Sequence, residues 1–323
     1  MRYNHVFIDV FNLHHRLKNK SLNNFARANN VVDYILDVKN RLEPEGDIYL
    51  LFDPLPKVDL IEKSTFRNQI TSRQEINKDY KSNRIKDPED LIAISMVFKY
   101  FEYRGETFKS VKNQSCEADD FVESLVNSLE GTIALVSTDL DWAKYISDRV
   151  YFINGSWDKP MTKDEFKERF GYNPSVLFLT LYKAAFGDDS DNIKALDSIK
   201  KVFYYKDLTK SFKDYFEQMD HTESVDSFVR RFFSKNIAES IANSENSAED
   251  NLFSVIATGE SRYGDPLKIF KDNIRLIRCR CKDANKYVTW KNENSRLNKA
   301  IDSVLGRACN ENRKFKFGGV RVL

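Results

Sequence analysis

Short apolar runs that end on acidic residues recur through the first two-thirds of the chain. VFID closes on Asp9, IYLLFD closes on Asp53, and IALVST leads into Asp139 and Asp141. The runs at 6–10, 48–53, 107–111, 132–138 and 150–153 are rich in β-branched and aromatic residues. They lack the strict alternation of a strand with one wet face, so they predict strands covered on both sides. Helical spacing predicts helices around 29–42, 88–103, 117–129 and 141–147 between them. This alternation predicts an α/β fold, a central and mainly parallel sheet flanked by helices. Beyond Phe152 no further strand is expected. Helices are predicted at 163–170 and 175–186, the second with Pro174 in its first turn and Gly187 at its close. From about 200 onward the chain reads as mainly helical, with a polar stretch at 234–251 as a loop or an exposed helix. The segment 57–87 is polar and rich in Lys and Arg, punctuated by Phe66 and Tyr80. It reads as an insert standing above the sheet.

The carboxyl ends of the strands of an open α/β sheet point into one crevice. Asp9 and Asp53 fall there, followed by Glu117, Asp119 and Asp120 in CEADD, Asp139 and Asp141 in TDLD, and Asp188, Asp189 and Asp191 in GDDSDN. Each motif also has an ordinary structural reading. CEADD suits a helix N-terminus capped by Ser115, with Glu117 and Asp120 on one face. TDLD suits a turn, and GDDSDN suits a polar turn after a glycine cap. Together they place many like charges in one crevice, which only cations can neutralise. Oxygen-only acidic sites suit hard ions such as Mg²⁺ and Mn²⁺. The chain therefore reads as a metal-dependent enzyme acting on phosphates.

Composition narrows this further. The chain has 323 residues and a formal net charge of +2. Residues 271–323 hold 14 Lys/Arg against 5 Asp/Glu, a surplus of +9, which leaves −7 on the rest. A basic end on an acidic body suits a protein that holds a polyanion beside a metal site. No apolar run approaches the roughly 20 residues of a membrane span, and MRYNHVFIDV has no signal-peptide pattern. Four cysteines make no disulfide framework, so the CxC pair Cys279/Cys281 is expected to be reduced and the compartment cytoplasmic (the host cytoplasm for a phage protein). His14 and His15 are expected to be surface or packing residues. The aromatic series from Phe203 to Phe216 is expected to be core.

The motifs FIDVFNL, LLFD, YKSNR, CEADD, VSTDLDW and FGDDSDNI occur in one order over residues 5–200. In that order the chain resembles the 5′-nuclease superfamily of flap endonucleases and 5′→3′ exonucleases, and especially its phage members, which include phage ribonuclease H enzymes. The resemblance implies a PIN-like catalytic domain over 1–200. That domain would include a helical arch at 57–106 and a helical DNA-binding motif near 175–200, followed by a mainly helical, basic-ended region at 201–323. It implies Asp9, Asp53, Glu117 and Asp119 as ligands of a first metal ion. Asp139, Asp141 and Asp188 would hold a second, with Asp120 and Asp191 as additional carboxylates. Two Mg²⁺ ions are implied, with Mn²⁺ able to replace them. Lys81 and Arg84 would contact the scissile phosphate, Tyr80 would stack on a terminal base, and Arg73 is a weaker nucleic-acid contact.

The implied substrates are DNA with a free or flapped 5′ end and RNA·DNA hybrids, in primer and flap removal. A single-strand-binding protein or a polymerase is the implied partner, and the chain is expected to be a monomer. Where cellular members carry a glycine-rich hairpin that grips duplex, this chain reads KALDSIKK. That shifts duplex contacts to Lys194, Lys200 and Lys201 and leaves open whether a monovalent-cation site exists without the glycine turn. Three rivals are weaker. A haloacid-dehalogenase-type phosphatase needs an acid where Phe11 stands. A catalytically silent DNA-binding module would not keep the full carboxylate set. A PIN-type ribonuclease needs fewer carboxylates and no YKSNR segment.

Overall fold

In the computed structural model, residues 2–19, 22–55, 71–81, 87–103, 107–154, 159–171, 173–196, 223–244, 248–258, 264–278, 281 and 288–289 are described. Five strands run parallel: β1 (His5–Asp9), β2 (Ile48–Leu51), β3 (Phe108–Val111), β4 (Ile133–Val136) and β5 (Val150–Ile153). The order across the sheet is β5-β4-β1-β2-β3, so successive crossovers diverge from β1 in opposite directions. This creates a topological switch point beside β1, where the loops from neighbouring strands part and leave a crevice.

The strands are buried on both faces, as their unbroken apolar runs demand. Val6, Ile8, Ile48 and Leu50 face α1 (Val10–Leu17), α2 (Asn24–Leu42) and α4 (Pro88–Tyr103) in one core. Phe7, Tyr49, Leu51, Ile133 and Leu135 face α5 (Ala118–Ser128), the 3₁₀ turn Leu140–Tyr145 and α6 (Lys163–Phe170) in the other. Between α2 and α4 lies the short α3 (Ser72–Ile76). A third core gathers α7 (Val176–Phe186), α8 (Val225–Phe232), α10 (Ala248–Ala257) and α11 (Pro266–Ile277). The small α9 (Ile237–Asn243) precedes α10, so the polar stretch 234–251 does contain an exposed helix.

The structure corrects several expectations. Strands do not stop at Phe152, because β6 (Val288–Thr289) returns to pair antiparallel with β3, through Ser110↔Thr289 and Val111↔Val288. Pro174 lies before α7, whose N-cap is Ser175, with its side chain accepting the Phe178 N–H. Ser115 does not cap α5. That position belongs to Glu117, whose N–H donates to Asp120 Oδ2 at 2.8 Å. Cys281 is not a free thiol: a disulfide joins it to Cys116, with the Cα atoms 5.9 Å apart. The Cys281 N–H also donates to the Asp120 carbonyl, so the C-terminal region is tied to the start of α5. Of the arch expected at 57–106, residues 57–70, 82–86 and 104–106 lie outside the described residues, and α4 packs in the core with β1 and β2 because its apolar side chains need that cover. Arg84, Lys200, Lys201, Cys279 and the aromatic series 203–216 also lie outside the described residues.

The histidines divide. His14 is buried, and its Nε2 lies 3.0 Å from Asp90 Oδ1. Asp90 also pairs with Lys18 and Arg27, so a single carboxylate in the first turn of α4 joins α1, α2 and α4. Burial opposes the charge on Asp90, but Lys18 and His14 outweigh it and hold its carboxyl below the usual range.

Candidate active site

Asp9 is the last residue of β1 and the N-cap of α1, its Oδ1 accepting the Asn12 N–H at 2.9 Å. A sheet strand running straight into a helix forces this geometry, and an Asp satisfies a helix N–H that would otherwise be unpaired. Asp53, just past β2, accepts the Ala118 N–H at 3.0 Å, which draws the start of α5 against the end of β2. That contact carries Glu117 and Asp119 into the crevice. Asp119 Oδ1 accepts the indole N–H of Trp142 at 2.6 Å. Asp139 caps the 3₁₀ turn through the Asp141 N–H at 2.9 Å. Asp188 stands just after α7, its Oδ1 accepting the N–H and the hydroxyl of Ser190.

The electrostatics reveal the crowding. Burial, reinforced by Asp119, pushes the Asp9 carboxyl well above the usual carboxylate range. Burial and Glu117 raise Asp53. Burial, with Asp141 and Asp119 nearby, lifts Asp139 to about 6. Burial also opposes charge on Glu117 and Asp119, but for both of them Lys81 and Arg73 reverse the direction and hold them low. These opposed directions set a pH dependence for the protein stripped of metal. A raised carboxyl lets the folded state bind protons that the unfolded chain does not, so Asp139 favours folding as pH falls from about 7 toward 5. Glu117, Asp119 and Asp188 are depressed, Asp188 to about 2, and their contribution is lost as pH falls below the ordinary carboxylate range near 4. We expect maximal stability of the EDTA-treated protein near pH 5. A melting-temperature series from pH 4 to 8 that rises monotonically would exclude it.

Among the described residues, Lys81, Arg73 and Lys183 pair directly with the acids. Lys81 Nζ lies 2.6 Å from Glu117 Oε2 and 4.0 Å from Asp191 Oδ1. Lys81 has φ 51°, a left-handed conformation, held by its N–H donating to the Asp191 carbonyl. Arg73 Nη2 lies 2.6 Å from Asp120 Oδ1, and Nη1 lies 2.6 Å from the Tyr80 hydroxyl. Lys183, in the last turn of α7, bridges Asp141 Oδ2 at 2.5 Å and Asp188 Oδ2 at 2.7 Å.

This arrangement revises three expected roles. Tyr80 is fully buried in the third core, with its hydroxyl donating to Glu117 Oε2 at 3.2 Å, so it offers no face to a base. Arg73 is buried and holds Asp120, Glu117 and Tyr80 rather than a nucleic acid. Asp120 is 1% exposed and committed to Arg73 and the Glu117 N–H, which leaves it no free edge toward the crevice. Burial lifts its carboxyl to about 6 against the pull of Arg73, and at neutral pH it remains the ionised partner. Asp9, Asp53, Glu117, Asp119, Asp139 and Asp141 lie near enough to bear on one another's ionisation, while Lys81 links Glu117 to Asp191 and Lys183 links Asp141 to Asp188. Lys194 is engaged by Asn192 Oδ1 at 2.8 Å, on the loop after α7.

Sequence reasoning missed Lys183 and Trp142. The one available signal for Lys183 was a single cation in the otherwise apolar helix VLFLTLYKAAF. Trp142 sat inside the TDLDW motif, but its bond to Asp119 spans 23 residues and is set by tertiary packing.

Among the described residues, no three His, Cys, Asp or Glu side chains converge as a ready-made coordination sphere. The ammonium groups of Lys81 and Lys183 stand between carboxylates that would otherwise share a cation. The donor set nevertheless fits hard divalent ions. It is made of oxygen alone, it is buried and crowded enough to oppose ionisation at Asp9, Asp53 and Asp139, and ammonium groups already lie between some of the acids.

A parallel sheet, with acidic side chains and two lysines gathered beside its switch point, is the frame on which these residues meet. Residues 6–171 match the family of the 5′-3′ exonuclease N-terminal resolvase-like domain. The chain belongs to that family. It is 28% identical over 262 residues to a 5′-3′ exonuclease of Buchnera aphidicola subsp. Schizaphis graminum, covering 79% of this chain and 83% of that one. It is 27% identical over 144 residues to the flap endonuclease of Escherichia phage T5, covering 42% and 49%. The fold is also that of the solved phage T5 flap endonuclease in a complex with DNA and metal ions (18% identity, TM-score 0.51), which it covers over 99% of that chain and 95% of this one.

Proposed function

We propose that this protein hydrolyses phosphodiester bonds of DNA or RNA·DNA from free or flapped 5′ ends, in primer and flap removal. The observation that carries the reading is the convergence of carboxylates from four separate strand ends on one crevice, with Lys81 reaching in beside Glu117. Asp9, Asp53, Glu117 and Asp119 would hold one Mg²⁺, and Asp139, Asp141 and Asp188 a second, with Asp191 at the margin and Mn²⁺ able to replace Mg²⁺. When bound, such ions activate water, orient the phosphate and neutralise charge at the attacking and leaving oxygens.

The chain's own residues do the rest. Asp53 fixes the α5 N-terminus, so Glu117 and Asp119 stay on the crevice wall. Trp142 orients Asp119, and Asp139 holds the turn that presents Asp141. Lys81 is anchored by the 188–193 loop through its own N–H, while the Asn192 side chain donates to the Asp79 carbonyl. Turning from Glu117 toward a bound phosphate would place its fixed positive charge where negative charge develops. Arg84 would assist in the same way, and Lys194, Lys200 and Lys201 would meet duplex phosphates, a salt-dependent and sequence-independent contact. A single-strand-binding protein or a polymerase is the partner this reading favours, with the chain acting as a monomer.

The test is cleavage of a 5′-flap duplex, a blunt duplex and an RNA·DNA hybrid, each with Mg²⁺ and with EDTA. Products released from the 5′ end only with metal support the reading. No cleavage with Mg²⁺ or Mn²⁺, together with tight flap binding, would favour a silent binding module instead. For Lys81→Ala we expect turnover to fall by about 10²-fold while the flap-DNA Kd changes less than about threefold. An unchanged turnover number would remove Lys81 from the chemistry.

A further inference from the structure

Lys183 joins two acids from separate elements, Asp141 in the turn after β4 and Asp188 in the loop after α7. Its side chain is 22% exposed, so the contact is only partly screened. It sits in the last turn of α7, beside the buried Ala184 and Ala185. Asp188 already satisfies its Oδ1 with Ser190, leaving Oδ2 to the ammonium. A divalent ion held between Asp141 Oδ2 and Asp188 Oδ2 takes the oxygens that now face Lys183. Two cations cannot share that gap, since unit charges a few ångströms apart near a protein surface repel strongly.

We propose that Lys183 is a positioning residue that acts as an internal counter-ion. It draws Asp141 and Asp188 together before metal arrives, and it must be displaced for the second ion to bind, so it sets the metal concentration at which that site fills. The inference rests on the assignment of Asp141 and Asp188 as metal ligands.

The experiment is calorimetric titration of the full chain with Mn²⁺ in the absence of nucleic acid, for the wild type, Lys183→Met and Lys183→Gln. Melting temperatures are recorded with EDTA and with Mn²⁺. Both variants are expected to melt lower than wild type in EDTA, yet to bind the weaker of two Mn²⁺ ions at least about tenfold more tightly. Their gain in melting temperature on adding Mn²⁺ should therefore exceed that of the wild type. A residue that merely tied the loop in place would lower both quantities, and unchanged or weaker Mn²⁺ affinity in folded variants would overturn the inference. Mn²⁺ binding to none of the three proteins would instead overturn the metal assignment itself. A wild-type crystal soaked in Mn²⁺ gives an answer even where the variants do not fold. Anomalous density between Asp141 and Asp188 with Lys183 turned away supports the proposal. An ion there with Lys183 still bridging both acids defeats it.

Discussion

Asp9→Asn is expected to reduce Mg²⁺-dependent cleavage by at least about a thousandfold while making the metal-free protein more stable at neutral pH. The two effects have one cause. Asp9 is buried among Asp119, Asp53 and Asp139, and its carboxyl is pushed well above the usual range by burial and by those neighbours. A raised carboxyl destabilises the folded state progressively as pH climbs above the unfolded value near 3.9, because the unfolded chain releases its proton more readily. Asparagine carries no such penalty and still caps α1 through the Asn12 N–H. The variant should therefore melt roughly 2–4 °C higher for each kcal/mol recovered at pH 7 in EDTA. The advantage should shrink as pH falls toward the unfolded value near 3.9 and vanish well below it, where the carboxyl is protonated in both states. Full cleavage by the variant would remove Asp9 from the metal site. Lower stability at pH 7 would show that the crowding of carboxylates has been overestimated.

Arg73→Met is expected to destabilise the fold by about 3–5 kcal/mol, the usual consequence of removing one partner of a buried ion pair. Arg73 spans Asp120, Glu117 and the Tyr80 hydroxyl, and joins the α3 segment to the start of α5. Its loss strands Asp120, which has almost no solvent exposure, as an unpaired charge. Adding Asp120→Asn should restore a substantial part of the loss, since the amide oxygen can still accept the Glu117 N–H. Denaturant midpoints for the single and double variants measure the coupling directly. If Arg73→Met left the midpoint unchanged but weakened DNA binding, Arg73 would be a nucleic-acid contact after all.

The strand–helix alternation and the acids at strand ends were both readable in the linear order, because a sheet covered on both faces requires unbroken apolar runs, and because the loops after parallel strands lie together by topology. The switch point beside β1 was not readable, because the spatial order β5-β4-β1-β2-β3 is set by how the crossovers pack and not by the order of strands along the chain. β6 was not readable: a two-residue strand leaves no periodic signal, and its pairing with β3 joins positions some 180 residues apart, as the register Val111↔Val288 shows. The same distance hid the bond between Cys116 and Cys281, which a count of four cysteines in a long chain does not suggest.

What the amino-acid order determined by itself is an inventory of acids that follow apolar runs, to which the family resemblance added a lysine of the YKSNR segment. It could not divide that inventory into roles. Asp119 and Asp120 are adjacent, yet a helix turns consecutive residues about 100° apart, so one faces Trp142 and the crevice while the other faces Arg73 and the interior. Tyr80 and Lys81 are adjacent as well. The left-handed backbone at Lys81, fixed by the Asp191 carbonyl, sends the ring into the third core and the ammonium into the site. Only tertiary packing decides such divisions, because burial and the position of partner charges depend on segments that meet in space and not along the chain.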